Sequence, residues 1–144
     1  LDKQDLTGQT VIDYGCGSGI LGIGALLLGA EKVIAVDNDP QALLATRDNA
    51  ERNNIAPERI STYLPEDLPA DVIGQTMLAN ILAAPLIELA PKLTALTASN
   101  GLICFSGLLE HQIEAVSEPY LANFSFDDPA IETEWAQLAA RKTA

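Results

Sequence analysis

The chain has 144 residues, 48% hydrophobic and 19% charged, with eight Lys plus Arg against twenty Asp plus Glu. That length and composition fit a single folded domain with a true core and exclude a disordered chain. A net charge of -12 argues against gripping nucleic-acid phosphates and favours a basic partner. Two cysteines build neither a disulfide framework nor a zinc quartet, which fits a reducing, cytoplasmic setting, and no metal ligands are expected. No apolar run reaches the roughly 18 residues of a membrane span.

In chain order, Thr10–Tyr14 predicts a buried strand that runs into glycines. Ser18–Leu28 predicts an apolar helix stopped by Gly29. Lys32–Asp37 predicts a second buried strand. Asp39-Pro40 reads as an N-cap followed by Pro at the first helical position, opening a helix to about Asn53 with Ala42, Leu43, Ala45, Thr46 and Ala50 on one side. Arg59–Leu64 is a weaker third strand, and Pro65–Asp71 a loop. Thr76–Ala79 predicts a fourth strand ending at Asn80; Gly74-Gln75 reads poorly as its opening. Pro85–Leu96 predicts one helix, Gly101–Ser106 a fifth strand, and Glu110–Leu121 a surface helix interrupted by Pro119. Phe124–Phe126 and Glu134–Ala140 read as closing strands. Apolar strands alternating with helices imply an α/β fold with a parallel sheet covered on both faces. Ligands of such sheets sit beyond the carboxyl ends of the strands.

The segments just beyond the strands carry the chemistry. Asp13-Tyr14-Gly15-Cys16-Gly17-Ser18-Gly19 closes the first strand. Glycines let backbone approach a ligand closely, and the helix behind offers free amides. A dinucleotide fingerprint needs a third glycine at position 20, where Ile20 stands. Asp13 would repel a pyrophosphate and favour an amine. Asp37 comes about 20 residues after Gly15, the spacing of an acid that takes two ribose hydroxyls; Asp39 is better explained as the helix cap.

In these residues the chain resembles the class I S-adenosylmethionine-dependent methyltransferases, whose glycine loop reads Asp/Glu-x-Gly-x-Gly-x-Gly. Ala79-Asn80-Ile81-Leu82-Ala83, Pro85-Leu86, Ser106-Gly107-Leu108-Leu109 and Glu134-Trp135 narrow the resemblance to the bacterial ribosomal protein L-eleven methyltransferases. The resemblance implies a three-layer Rossmann-like fold with a mostly parallel seven-stranded sheet and an antiparallel last strand. It implies S-adenosylmethionine as cofactor and a basic large-subunit ribosomal protein as substrate, methylated on lysine side chains and the α-amino group. On the family's pattern Asp13, Gly15, Gly17, Asp37 and Asn80 bind the cofactor, and Asn80 is also the catalytic candidate. Gln75 stands where many members carry Asp, and Glu66 and Asp67 lie where the family usually contacts adenine. Residues 1–144 are expected to form one methyltransferase domain, a fragment lacking the N-terminal substrate-binding domain. A related methyltransferase for another protein or small amine, a cofactor-binding module without catalysis, and a nicotinamide-dependent dehydrogenase stay open as alternatives. His111 reads as an exposed surface histidine, Cys16 as no nucleophile and Trp135 as core.

Overall fold

Strands β1 (Thr10–Tyr14) and β2 (Lys32–Val36) are runs of branched apolar residues, nearly all of them buried. The computed structural model describes residues 5–126, 130–132 and 135–143. It divides into two compact units, Leu1–Gly74 and Gln75–Ala144.

In the first unit β1, β2 and β3 (Ile60–Tyr63) lie in the order β3-β2-β1, all parallel, with Val11 opposite Val33 and Val33 opposite Ile60. Parallel neighbours need crossovers, and helices α1 (Ile20–Leu27) and α2 (Pro40–Arg52) supply them, packing on β1–β2 and β2–β3. Helix α1 starts two residues later than the sequence suggests. Gly17 and Gly19 take φ of +56° and +83°, so helical geometry begins only after them. The cap of α2 is as expected: the Asp39 carboxylate accepts from the Gln41 N–H at 3.0 Å and Pro40 is the first helical residue. Val11, Ile12, Ile23, Leu26, Val33, Val36 and Leu43 make the core of this unit, and each such side chain contributes roughly 1.5–3 kcal/mol by leaving water. The unit ends at Gly74, where a Cβ would lie 2.8 Å from Ile12 Cγ1 and 3.2 Å from the Thr10 carbonyl oxygen. Gly74 therefore opens the next strand because it has no side chain, which corrects the sequence expectation that strand pairing starts at Thr76.

The second unit holds β4 (Gly74–Ala79), β5 (Thr97–Leu109), β6 (Phe124–Phe126), β7 (Ala130–Glu132) and β8 (Trp135–Lys142), in the order β4-β5-β8-β6 with β7 also on β8. Strand β8 is antiparallel to β5, β6 and β7, the antiparallel last strand that was expected. Strand β7 is an addition to the seven strands expected: three residues hydrogen-bonded to β8, too short to signal itself. The single helix expected over Pro85–Leu96 is two, α3 (Ala83–Glu88) and α4 (Ala90–Leu96), meeting at Leu89. Pro91 has no N–H to give the Ile87 carbonyl, so the ladder breaks there. The segment expected as a helix over Glu110–Leu121 is a 3₁₀ turn (Glu110–Gln112), a short α5 (Ile113–Ser117) and a second 3₁₀ turn (Glu118–Tyr120) holding Pro119. Tyr120 ends this segment fully buried, its ring 4.9 Å from Phe105 and 5.8 Å from Phe124, and its hydroxyl donates to the Leu86 carbonyl at 2.7 Å. Burial holds the Tyr120 phenol above its ordinary pKa.

Candidate functional site

Loop 15–19 is a stack of tight turns over the end of β2. The Gly15 and Cys16 N–H groups both donate to the Val36 carbonyl, at 2.7 and 3.1 Å, and the Gly19 N–H donates to the Cys16 carbonyl at 2.9 Å. Gly15, Gly17 and Gly19 all have φ between +56° and +83°, a region in which a side chain is strained. Each second residue of the motif is glycine because the backbone, not the side chain, makes this surface.

Asp37 lies at the carboxyl end of β2, half-buried. Its Oδ2 accepts from the Gly17 N–H at 3.0 Å and its Oδ1 from the Asp39 N–H at 2.9 Å. The carboxylate is thereby fixed against the loop, and each oxygen keeps a further acceptor site.

Asp13 sits differently. It is 1% exposed, beneath the loop rather than on it. Its Oδ2 accepts from the Gly22 N–H at 3.2 Å, so a residue of β1 caps the first turn of α1, which carries no side-chain cap of its own. Its Oδ1 is buried with no hydrogen-bond partner among the described residues. Burial pushes the Asp13 carboxyl up to about 6; the Gly22 N–H works against this and the charge of Asp37 adds to it. A half-satisfied buried carboxylate of this kind favours a cationic or hydrogen-bond-donating neighbour.

The sequence reading missed what holds the loop from behind. Thr46, placed inward as an ordinary core residue of α2, donates its hydroxyl to the Gly17 carbonyl at 3.1 Å, and the amide of Asn49 donates to the Ser18 carbonyl at 2.9 Å. The only signal in the sequence was a threonine on the inward side of the helix and an asparagine three residues later. The Cys16 thiol lies 3.4 Å from Thr46 Oγ1 and 3.8 Å from the Gly17 carbonyl, and either oxygen can accept its proton. Burial pushes the Cys16 thiol up to about 11, so it stays protonated and is not a nucleophile, as expected.

In the second unit Asn80 directly follows β4 and is exposed, as is Leu82, with 76% of its surface open. Gln75 lies within β4 rather than before it. In the first unit, Glu66 and Asp67 lie exposed on a 3₁₀ turn (Pro65–Asp67) after β3. His111 is exposed on its own turn, as expected. Glu134 falls outside the described residues, as does the side chain of Trp135. Among the described residues no helix is long and apolar enough to cross a membrane.

The residues fit a ligand that offers donors and carries positive charge. A vicinal diol can use the remaining acceptor sites of Asp37, and an ammonium suits the neighbourhood of Asp13. A diphosphate in the same place would meet two carboxylates.

Comparison with known proteins identifies the family. The model of the family described as ribosomal protein L11 methyltransferase (PrmA) matches residues 1–143. A ribosomal protein L11 methyltransferase of Escherichia coli O1:K1 is 51% identical over 142 residues, covering 99% of this chain and 48% of that protein. The chain thus spans about half the length of the curated relatives it matches. The crystal structure of a ribosomal protein L11 methylase from Lactobacillus delbrueckii subsp. bulgaricus superposes with a TM-score of 0.88 at 31% identity, covering 99% of this chain and 74% of that chain. A methyltransferase from Pyrococcus furiosus, at 15% identity and a TM-score of 0.81 over 100% of this chain and 80% of its own, shares the fold.

Proposed function

Because this chain belongs to the ribosomal protein L11 methyltransferase family, we propose that it binds S-adenosylmethionine through loop 15–19 and Asp37 and serves methyl transfer to the lysine side chains and α-amino group of a basic large-subunit ribosomal protein. The observation that carries the reading is Asp37. A carboxylate locked by two backbone amides at a strand end, beside three left-handed glycines, is built to accept a ribose diol and not to coordinate a phosphate.

S-adenosylmethionine supplies a methyl group already activated on a sulfonium. The chain's task is then binding, orientation and control of one proton. Gly15 and Gly17 present bare backbone to the methionine part, and Asp13 beneath them supplies negative charge towards its ammonium. The exposed Ile20, 72% open at the start of α1, offers apolar surface beside the loop. A free lysine has a pKa near 10.4, so at pH 7 on the order of one in a thousand is neutral and nucleophilic. Removing that amine from water favours the neutral form. Asn80 then accepts an N–H of the incoming amine through its amide oxygen and orients the lone pair. It also contributes to holding the cofactor. Its neutrality matters, because a carboxylate there would hold the amine as ammonium. The acidic surface suits a basic protein substrate.

The test is direct. Calorimetric titration with S-adenosylhomocysteine, the demethylated cofactor, should show binding, and titration with NAD none. Labelled S-adenosylmethionine and purified ribosomal protein L11, with mass spectrometry as the readout, should place methyl groups on amines. Binding of NAD in preference to S-adenosylhomocysteine would overturn the reading.

A further inference from the structure

We propose that Thr46 and Asn49 of α2 are positioning residues, which set the direction in which loop 15–19 presents its backbone to the cofactor. Two successive peptide carbonyls of the loop, those of Gly17 and Ser18, are each held by one side chain of the same helix face, at 3.1 and 2.9 Å. A peptide unit is planar and trans, so fixing its carbonyl fixes the following N–H in the opposite direction. The Thr46 hydroxyl on the Gly17 carbonyl therefore turns the Ser18 N–H away from α2. Thr46 is completely buried, with its hydroxyl between the Gly17 carbonyl and the Cys16 thiol, so removing the hydroxyl leaves a carbonyl of the loop without its 3.1 Å donor.

Packing enforces the same geometry. Gly19 lies so close to Thr46 that a Cβ there would stand 2.8 Å from Thr46 Cγ2 and 2.9 Å from Thr46 Oγ1. The helix thus grips the loop by two hydrogen bonds and one close contact, while Asp37 holds the Gly17 N–H from the other side. Glycines alone are flexible. What makes this loop a preformed cradle is the grip from α2, and preformed geometry is what strengthens binding.

This inference rests on the reading of the loop as the cofactor cradle, and the experiment separates the two. Wild-type chain and the variants Thr46→Val, Thr46→Ser and Asn49→Ala are titrated with S-adenosylhomocysteine, and their backbone amide exchange is measured without ligand. Thr46→Val keeps the shape and removes the hydroxyl. It should weaken binding about tenfold, the effect of one buried hydrogen bond. Thr46→Ser should restore binding, and Asn49→Ala should weaken it as well. In the free protein, exchange at Gly17 and Gly19 should speed up in Thr46→Val while the amides of β1 and β2 keep their protection.

A wild-type chain that does not bind S-adenosylhomocysteine defeats the cofactor reading alone. The exchange data then still judge whether α2 orders the loop. Thr46→Val with unchanged loop exchange, or with affinity within twofold of wild type, overturns the inference. Equal losses in Thr46→Val and Thr46→Ser also overturn it, because the hydroxyl retained in Ser would then not be what holds the loop.

Discussion

Gly19 and Thr46 are in contact so close that neither can grow: a methyl group on Gly19 would meet Cγ2 of Thr46 at 2.8 Å. The third glycine of the loop is fixed by this neighbour on α2 as much as by its φ of +83°. One substitution at Gly19 therefore carries two separate costs.

Gly19→Ala should destabilise the chain by roughly 1–3 kcal/mol through backbone strain, with steric overlap added to it. In a Thr46→Ala background the overlap is largely gone and only the strain remains. The cost of Gly19→Ala should thus be smaller there by about 1 kcal/mol, the size of coupling expected between touching residues. Urea denaturation of the four proteins measures it. Costs that add without coupling would show that the two residues do not touch in solution.

Asp13 should make stability depend on pH in a recognisable window. Its carboxyl is raised by burial to about 6, from an ordinary value of 3.8. The folded protein therefore holds this proton more tightly than the unfolded chain, and the stabilising contribution is complete below the ordinary value and lost as pH rises through about 6. A displacement of that size corresponds to about 3 kcal/mol. Asp13→Asn should thus melt at a higher temperature than wild type at pH 7, and the gap should close towards pH 4. The same variant should bind S-adenosylhomocysteine less well, because the charge is gone. Thermal melts across pH 4 to 8 check the first point. A gap independent of pH would mean that folding does not move the Asp13 carboxyl from its ordinary value.

Asp37→Ala removes the ribose acceptors and also the anchor of the Gly17 and Asp39 amides. Affinity for S-adenosylhomocysteine should fall by about 2–3 kcal/mol, the worth of hydrogen bonds to a charged group. Affinity for a ligand without the 2′ and 3′ hydroxyls should fall less. A uniform loss for both ligands in calorimetry would assign Asp37 to loop anchoring alone.

What the sequence made legible is what its neighbours in the chain determine. The β1 run, the glycine loop, the Asp39-Pro40 cap and the acid at the end of β2 each declare themselves within a few residues. Thr46 and Asn49 do not, because their partners Gly17 and Ser18 lie about thirty residues earlier and only the fold brings them together. The break at Leu89 was signalled by Pro91, but the apolar spacing of Leu86, Ala90 and Leu93 continues across it and suggests one helix. Strand β5 runs Thr97–Leu109, beyond the Gly101–Ser106 that the sequence suggests at both ends; Asn100 takes φ of +63° and Gly101 fits because a Cβ there would lie 2.7 Å from the Ala98 carbonyl. Asp13 is the instructive intermediate case: the motif marked it, but only the burial shows that it acts from beneath the loop and caps α1.

Asn80 gives the sharpest test of the chemistry. Its proposed role is to accept a hydrogen bond from a neutral amine, so what it lacks, a charge, matters as much as what it has. Asn80→Ala removes the acceptor; turnover should drop by about 10²-fold or more, in the range for a positioned group acting on a proton-bearing nucleophile. Asn80→Asp keeps an acceptor of similar shape and adds a negative charge. That charge favours the ammonium form of the substrate, raising its pKa in the complex. Turnover of Asn80→Asp should therefore be low at pH 7 and recover as pH rises, while Asn80→Ala stays low throughout. The measurement is a pH profile of methyl incorporation into ribosomal protein L11 from labelled S-adenosylmethionine, made on this chain and on a protein of the curated relatives' length that contains it. S-adenosylhomocysteine affinity is measured in parallel, because Asn80 is also proposed to help hold the cofactor. Full turnover by Asn80→Ala would remove Asn80 from the reaction. Parallel pH profiles for wild type and Asn80→Asp would leave it an acceptor whose charge is indifferent, and the argument for a neutral side chain after β4 would fail.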